Sequence, residues 1–149
     1  MEAEHVMVLA SSKLSVNDLL AKIPIEDCVQ LFDERAIACK EQLEFAYLNA
    51  VKIQQRGESK TKSLAMELLL CAAMSSQIGD AIKKAGAKTG KMFVVFSDSK
   101  QAYAKLEKFL VDPVEFNPKE VKERIVKLGI KSGNVEDLIQ EIALHAMER

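Results

Sequence analysis

Residues 63–86 have the sequence SLAMELLLCAAMSSQIGDAIKKAG, and this stretch decides the fold. From Leu64 to Met74 every residue except Glu67 is apolar, which is too uniform for a helix with one face in water. This part predicts a helix surrounded by protein on most sides. After a serine pair, apolar residues recur at helical spacing until Gly86. The stretch therefore predicts a buried helix, a tight turn and an amphipathic helix that ends at glycine.

The rest of the chain supplies further strands and helices. Residues 91–97 predict the clearest strand, because five consecutive apolar residues imply that both of its faces are covered. The other strands are expected at residues 5–10, 28–32, 36–38 and 114–116. Helices are expected at residues 14–22, 40–55, 98–110, 118–128 and 134–149. We therefore expect an α+β fold with a small, largely antiparallel sheet of three to four strands, surrounded by six to seven helices, in one domain spanning residues 1–149.

Four helix starts carry capping signals. The expected caps are Ser15 with Asp18, Asp98 with Gln101, Asn117 with Pro118 and Glu120, and Asn134 with Asp137. The third combines an N-cap residue, a proline at the first helical position and an acidic residue two positions later, so it is the most specific of the four.

The composition excludes several functions. The formal net charge is −1, so nucleic acid would be attracted only by a local basic patch. Aromatic residues make up 5% of the chain and Trp is absent, which argues against a platform of stacking rings. The longest nearly apolar run is shorter than a membrane span and the N-terminus is acidic, so we expect a cytoplasmic protein without membrane contact.

The cysteines and histidines predict no metal site, cofactor or disulfide. Cys28, Cys39 and Cys71 are odd in number, widely spaced and form no CxxC motif. His5 and His145 lie near opposite ends of the chain. We therefore expect buried free thiols and no cofactor.

The case for an enzyme rests on few residues. Residues 86–92, GAKTGKM, have only three residues between the glycines, Met92 in place of a hydroxyl residue, and a strand after them, so they do not form a phosphate-binding loop. Glu67 is a carboxylate within an apolar helix, so it reaches water, pairs with a lysine, or serves a pocket. The alternative function is therefore a small ligand-binding domain or enzyme with a Glu67/Gln77 pocket.

Residues 54–62, QQRGESKTK, form a polar loop. Three basic residues, Arg56, Lys60 and Lys62, stand against Glu58, which leaves two positive charges in excess. The loop is either an ordinary mobile surface segment or a basic loop that brings cations to a phosphate backbone.

The last helix has an apolar stripe and two apolar residues outside it. The stripe consists of Val135, Leu138, Ile139, Ile142 and Ala146. Leu144 and Met147 lie off the stripe. Each Leu removed from water contributes roughly 1.5–3 kcal/mol, so a few such residues suffice to hold a partner. Alternatively, the helix simply docks on its own domain and leaves these two residues exposed.

Residues 62–88 resemble the signature region of the TPRKB-like (PRPK-binding) family, the small kinase-binding subunit of the KEOPS/EKC tRNA-modification complex. The matching residues are Ser63, Met66-Glu67 followed by aliphatics, Gln77-Ile78, Ala81-Ile82, and Gly86 ahead of a strand. The closing GNVEDLIQEIAL and the order of elements also fit, so the resemblance spans nearly the whole chain. The chain departs from that family at Leu64-Ala65, where an aromatic pair is common, and at Ala73-Met74, where Ser-Gly is common.

This resemblance implies a non-catalytic accessory subunit. Such a subunit binds and regulates the atypical small kinase/ATPase subunit of KEOPS, and it helps recruit tRNA through the 3′ CCA end for threonylcarbamoyl-adenosine modification. The residues then expected to bind RNA are Lys60, Lys62, Ser63 and Gln77. The residues expected to bind the kinase are Val135, Leu138, Ile142 and Leu144. The same apolar residues would allow a homodimer when the kinase is absent.

Overall fold

The four strands of the described chain form one antiparallel sheet. A computed structural model describes residues 5–59, 61 and 63–148. The strands are β1 (Val6–Ser12), β2 (Val29–Phe32), β3 (Phe93–Ser97) and β4 (Leu110–Glu115). They lie in the order β2-β3-β1-β4, and every neighbouring pair is antiparallel.

Seven α-helices in the described chain cover both faces of this sheet. They are α1 (Val16–Ala21), α2 (Lys40–Gln55), α3 (Leu64–Ala73), α4 (Ile78–Ala85), α5 (Lys100–Glu107), α6 (Val121–Lys127) and α7 (Val135–Met147). The larger core joins α2, α3 and α7 to one face, and the smaller core joins α1 and α5 to the other. Val94 and Phe96 of β3 enter the larger core, and Phe93 and Val95 enter the smaller one. This alternation explains why β3 is apolar throughout, and the predicted α+β fold is confirmed.

α3 is the central helix of the larger core, as its sequence predicts. Seven of its ten residues are buried, from Glu67 to Ala73. Its start is capped by Ser63, whose side chain accepts a hydrogen bond from the Met66 amide. It ends at Met74, which has a left-handed φ of 53°. This is a position where the TPRKB-like family commonly has glycine, and a side chain in this conformation costs roughly 1–2 kcal/mol.

The predicted strand at residues 36–38 is wrong. A short 3₁₀ helix, Glu34–Ala36, occupies part of this segment. The buried side chain of Gln42 forms hydrogen bonds with backbone groups that would otherwise pair with a neighbouring strand. It accepts a hydrogen bond of 2.8 Å from the Ala38 amide and donates to the carbonyl oxygens of Ala36 and Ala72, at 3.0 and 3.2 Å. The side chain of Gln42, four residues after Ala38, therefore satisfies this backbone in place of a neighbouring strand.

The predicted helix over residues 98–110 is shorter than expected. Ser99, rather than Asp98, caps α5 by accepting a hydrogen bond from the Ala102 amide. α5 ends at Glu107, and Leu110 already belongs to β4, where it pairs with Ser12 of β1. Pairing with β1 therefore overrides the helical spacing of this segment.

β4 is irregular at its centre. Asp112 has a φ of 49°, and the pairing of β4 with β1 shifts register between Leu9 and Ser11. Pro113 follows directly and has no amide hydrogen to donate. The strand begins four residues earlier than the predicted 114–116.

The predicted cap at Asn117 is also wrong. α6 begins only at Val121, after Glu120, which has a left-handed φ of 56° and makes no capping contact through its side chain. The chain turns at Glu120, so residues 117–119 do not continue into the helix. The guanidinium of Arg124 donates to the Lys119 carbonyl oxygen at this turn and to the carbonyl oxygens of Glu34 and Ile37 in the segment before α2.

The two remaining caps differ from each other. Ser15 caps α1 as predicted, accepting a hydrogen bond of 3.1 Å from the Asp18 amide. Asn134 occupies the predicted cap position of α7, but its side chain makes no capping hydrogen bond. There Ser132 bonds to the Asp137 carboxylate and accepts from the Asn134 amide.

No helix within the described residues has the length and apolar content that a membrane crossing requires. The three cysteines are buried, and none of them forms a disulfide. In the same residues, no group of three His, Cys, Asp or Glu side chains is arranged to hold a metal ion.

Candidate functional site

The start of α3 is built around the buried carboxylate of Glu67. The hydroxyl of Ser59 lies 2.9 Å from Glu67 Oε2 and 2.7 Å from the Thr61 carbonyl oxygen. The Thr61 hydroxyl donates to the Ser63 carbonyl oxygen at 2.8 Å. Glu67 itself is fully buried, so it is a fixed acceptor inside the core. Within the α2–α3 loop, residues 56–63, Ser59 and Thr61 are thus tied to the helix that follows them.

Two of the predicted RNA-binding residues, Lys60 and Lys62, lie outside the described residues. Among the cations that are described in this loop, Arg56 forms an ion pair with Glu58. Ser63 is described, and its hydroxyl is engaged in capping α3. A role for these residues in binding RNA stays a prediction.

A groove adjoins Ser63. It has a volume of about 290 Å³ and runs between the α1–β2 segment and the first turn of α3. Its apolar wall includes Ile23, Pro24 and Ile25, and its polar groups include Gln30 and Ser63. The Gln30 amide also donates to the Ala65 carbonyl oxygen at 3.0 Å, which joins β2 to α3 beneath the groove. The groove therefore offers an apolar surface with a few polar groups at its rim.

Gln77 lies at the other end of α3. It is exposed, precedes α4, and makes no capping contact through its side chain. The ten residues of α3 separate it from Ser63, a length of roughly 15 Å. The structure therefore does not bring Gln77 together with Ser63, and it places Gln77 in solvent while Glu67 is enclosed in the core. This separation argues against the alternative of a shared Glu67/Gln77 pocket.

α7 presents two different faces. Leu138 and Ile142 are fully buried in the domain's own core, and Val135 packs against that core while remaining partly exposed. Leu144 and Met147 are 50% and 77% exposed. A direct contact of Leu138 or Ile142 with a partner would require α7 to leave the domain. Of the four residues predicted to bind the kinase, Leu144 is thus the most accessible.

A cleft lies beside the exposed face of α7. It has a volume of about 570 Å³ and is bounded by the end of α3, Lys84 of α4, the α6–α7 turn and α7 itself. The α7 side chains that line it are polar: Asp137, Gln140, Glu141 and His145. We call Gln140, Leu144 and Met147 the outer face of α7. This face combines exposed apolar side chains with a polar border.

α4 exposes an apolar pair whose place at the surface does not follow from its helical spacing. Its alanines, Ala81 and Ala85, are buried, whereas Ile78 and Ile82 are 43% and 46% exposed. The two isoleucines are one helical turn apart, so they share a face. One feature of the sequence indicates this arrangement: two of the four apolar positions of α4 are alanines. Small side chains let α4 lie close to the core on its alanine side.

A family model and two similar proteins carry the same family name. A family model described as "Kinase binding protein CGI-121" matches residues 11–142. The chain is 32% identical over 81 residues to the EKC/KEOPS complex subunit CGI121 of Candida glabrata, covering 54% of this chain and 44% of that protein. It is 30% identical over 95 residues to the KEOPS complex subunit Cgi121 of Pyrococcus abyssi, covering 61% of this chain and 56% of that protein. The matched region spans about half the length of these two relatives.

Proposed function

This chain belongs to the CGI-121 kinase-binding family, and we propose that it is a non-catalytic accessory subunit of a KEOPS complex. In that role it acts in the cytoplasm and binds and regulates the small atypical kinase/ATPase subunit. It also helps recruit tRNA through the 3′ CCA end for threonylcarbamoyl-adenosine modification. The observation that carries the proposal is the family match over residues 11–142, supported by two relatives named as KEOPS subunits.

We assign the kinase to the outer face of α7. Leu144 and Met147 are 50% and 77% exposed, so burying what remains exposed of both would contribute roughly 2–4 kcal/mol to the free energy of binding. The polar residues along the adjoining cleft would form the rim that surrounds the apolar centre of most interfaces. Val135, Leu138 and Ile142 lie on the opposite, inward stripe of α7 and support this face from the core.

We assign the 3′ end of tRNA to the α2–α3 loop and the groove at Ser63. Lys60 and Lys62 would supply positive charge to the phosphates, and the groove would receive an unstacked base against its apolar wall. Gln77, at the opposite end of α3 from Ser63, would contact a different part of the tRNA.

The kinase assignment is tested by mixing this chain with the kinase subunit of its own KEOPS complex and measuring co-elution by size-exclusion chromatography. We expect a stable complex and a changed ATPase rate of the kinase. Separate elution at micromolar concentrations of both proteins would contradict the assignment.

The tRNA assignment is tested by comparing the affinity for intact tRNA with that for the same tRNA lacking its three 3′ CCA nucleotides. We expect at least about tenfold weaker binding of the shortened tRNA, equivalent to about 1.4 kcal/mol. Equal affinity for the two RNAs would show that the 3′ end is not what the chain recognises.

Without the kinase, the outer face of α7 is left uncovered. We propose that two copies then associate through it, as a weak homodimer. Sedimentation of the isolated chain over a range of concentrations, repeated with the kinase present, measures this association; a monomer at all concentrations would exclude it.

A further inference from the structure

A second positively charged surface lies at one end of the sheet. β1 and β2 end there and β3 begins there, because Ala10 pairs with Phe93 and Phe32 pairs with Val94. The turn between α4 and β3, residues 86–92, crosses this end. Four cations meet around the turn, and we call them the basic sheet end: Lys13, Arg35, Lys88 and Lys91.

Backbone contacts fix this turn against the sheet. The Ser12 amide donates to the Gly90 carbonyl oxygen at 2.7 Å, and the Ser11 hydroxyl donates to the carbonyl oxygen of Lys91. A β-carbon on Gly90 would come within 2.7 Å of the Leu14 carbonyl oxygen, so only glycine allows this approach. Lys91 is therefore held beside the segment that carries Lys13.

The other half of the turn is attached to β2. Gly86 forms a bridge with Phe32, and the Ala87 amide donates to the Leu31 carbonyl oxygen at 3.2 Å. Lys88 Nζ lies 3.0 Å from the Gly86 carbonyl oxygen and 3.4 Å from Asp33 Oδ2. Lys88 is therefore held beside the segment that carries Arg35.

The four cations border two open depressions that adjoin each other. One has a volume of about 240 Å³ and is lined by Arg35, Lys88 and Lys91, together with Asp33 and Glu34. The other has a volume of about 600 Å³ and is lined by Lys13 and Lys91. Both include Thr89 and Lys91, so the two depressions form one continuous shallow surface.

The carboxylates on this surface are already paired. Asp33 contacts both Arg35 and Lys88, and although burial works in the opposite direction, the hydrogen bonds from these cations lower its pKa. Glu34 pairs with Arg124. Lys13 and Lys91 are exposed and form no ion pair with any residue that the structure describes. Positive charge therefore remains available here, although the whole chain has a net charge of −1.

We propose that the basic sheet end binds the phosphate backbone of tRNA, away from the CCA end and without regard to base sequence. This inference rests on the tRNA role proposed above and adds a second contact to it. It concerns the phosphates of the tRNA body, whereas the α2–α3 loop and the groove at Ser63 serve the single-stranded 3′ end.

The chemistry of the surface favours RNA over an acidic protein. Lysine is depleted at protein–protein interfaces, whereas Lys and Arg supply most contacts to phosphate oxygens. No aromatic side chain borders either depression, so bases have nothing to stack on and only the backbone is contacted. Thr89 adds a hydroxyl between the cations; its oxygen accepts from the Lys91 amide, and its proton is free to be donated to a phosphate.

The test compares two double variants that change the net charge equally. The first is Lys13→Glu with Lys91→Glu; the control is Lys119→Glu with Lys127→Glu, at two exposed sites on and before α6. Their affinities for intact tRNA and for tRNA lacking CCA are measured at several salt concentrations. We expect the first variant to bind both RNAs about tenfold more weakly, by the same factor, and to lower the salt slope by about 2.

Each outcome has a separate meaning. If the first variant matches the control on both RNAs while the unchanged chain binds tRNA, this proposal fails and the proposed function stands. If the unchanged chain binds no tRNA, both fail. If only intact tRNA is affected, the surface contacts the 3′ end and not the backbone. If kinase binding is lost while tRNA binding is kept, the surface belongs to an acidic protein. Lys13→Gln with Lys91→Gln, which removes charge without reversing it, should give a smaller loss in the same direction.

Discussion

Glu67 accepts a hydrogen bond from the hydroxyl of Ser59, with 2.9 Å between Ser59 Oγ and Glu67 Oε2. Ser59 precedes Lys60 in the sequence and Thr61 follows it. The Ser59 hydroxyl also contacts the Thr61 carbonyl oxygen, and the Thr61 hydroxyl donates to the carbonyl oxygen of Ser63, at the start of α3. A buried carboxylate therefore anchors Ser59, the residue that precedes Lys60 in the sequence. Glu67 is in this sense a positioning residue. Its carboxylate does not reach water, as one of the alternatives from the sequence had it, and its pairing with a lysine stays a prediction.

Replacing Glu67 should separate its stabilising role from its charge. Glu67→Ala removes the carboxylate that the Ser59 hydroxyl contacts and opens a cavity at a fully buried position, so we expect the free energy of unfolding to fall by about 2–3 kcal/mol. Glu67→Gln keeps an oxygen acceptor at the same place and should lose less than half as much. Urea denaturation measures both, and equal losses for the two variants would rule out the hydrogen bond as the cause.

Charge reversal in the α2–α3 loop should weaken tRNA binding. Lys60→Glu with Lys62→Glu removes two cations, so the salt slope of tRNA affinity should fall by about 2. The Lys119→Glu, Lys127→Glu control changes the net charge equally at another surface. If the loop variant binds tRNA like this control, the loop is an ordinary surface segment.

Substitution on α7 should distinguish its two faces. Leu144→Glu and Met147→Glu place charges on exposed positions, so both variants should stay folded and lose co-elution with the kinase. Leu138→Glu buries a charge in the core and should unfold the domain. Val114→Glu, at an exposed apolar site on β4, is the matched control and should still bind. Retained co-elution of both Leu144→Glu and Met147→Glu would move the kinase to another surface.

Gln42 should be among the most sensitive polar residues of the core. Gln42→Leu leaves the Ala38 amide and two carbonyl groups without a partner, at a cost of about 3 kcal/mol or more in unfolding free energy. Gln54→Leu, on the exposed side of the same helix, should change stability by only about 0.5 kcal/mol. Urea denaturation of the two variants makes the comparison; similar midpoints would show that the backbone groups find other partners.

The cysteines should be protected from alkylation in the folded protein. Burial, with a smaller contribution from the charge of Asp98, raises the pKa of Cys28 to about 12. Burial likewise raises the pKa of Cys39 to about 11. At pH 8 each of these cysteines is then in its reactive thiolate form in on the order of one in a thousand molecules or fewer. Iodoacetamide followed by mass spectrometry should label neither residue in buffer and both in denaturant; rapid labelling in buffer would mean that the core opens readily.

Elements governed by their own residues were predictable from sequence. α2 occupies Lys40–Gln55 as predicted, because apolar spacing sets both its inward face and its length. β3 and α3 were equally clear, since each is apolar almost throughout. Predictions failed where a contact that apolar spacing does not reveal decided the local structure, as with the side chain of Gln42 at residues 36–38 and with pairing to β1 at Leu110.

The candidate sites, too, were predictable from the sequence only in part. Ser63 and the start of α3 lie where the sequence predicts, but Gln77 is separated from them by the length of α3. Leu138 and Leu144 have the same chemistry, and only packing shows that one is buried and the other exposed. The basic sheet end could not be found from sequence, because Lys13, Arg35 and the pair Lys88 and Lys91 lie on three separate segments.

The irregular centre of β4 bears on the solubility of the protein. β4 and β2 are the two edges of the sheet, where unpaired backbone groups invite strands from other molecules. On β4, the left-handed Asp112 and the missing amide hydrogen of Pro113 interrupt the row of donors. On β2, the bridge between Phe32 and Gly86 and the hydrogen bond from the Ala87 amide to the Leu31 carbonyl oxygen occupy the end of the outer edge. Neither edge offers a continuous template, so the chain is guarded against strand-by-strand aggregation, and its self-association is left to its helices.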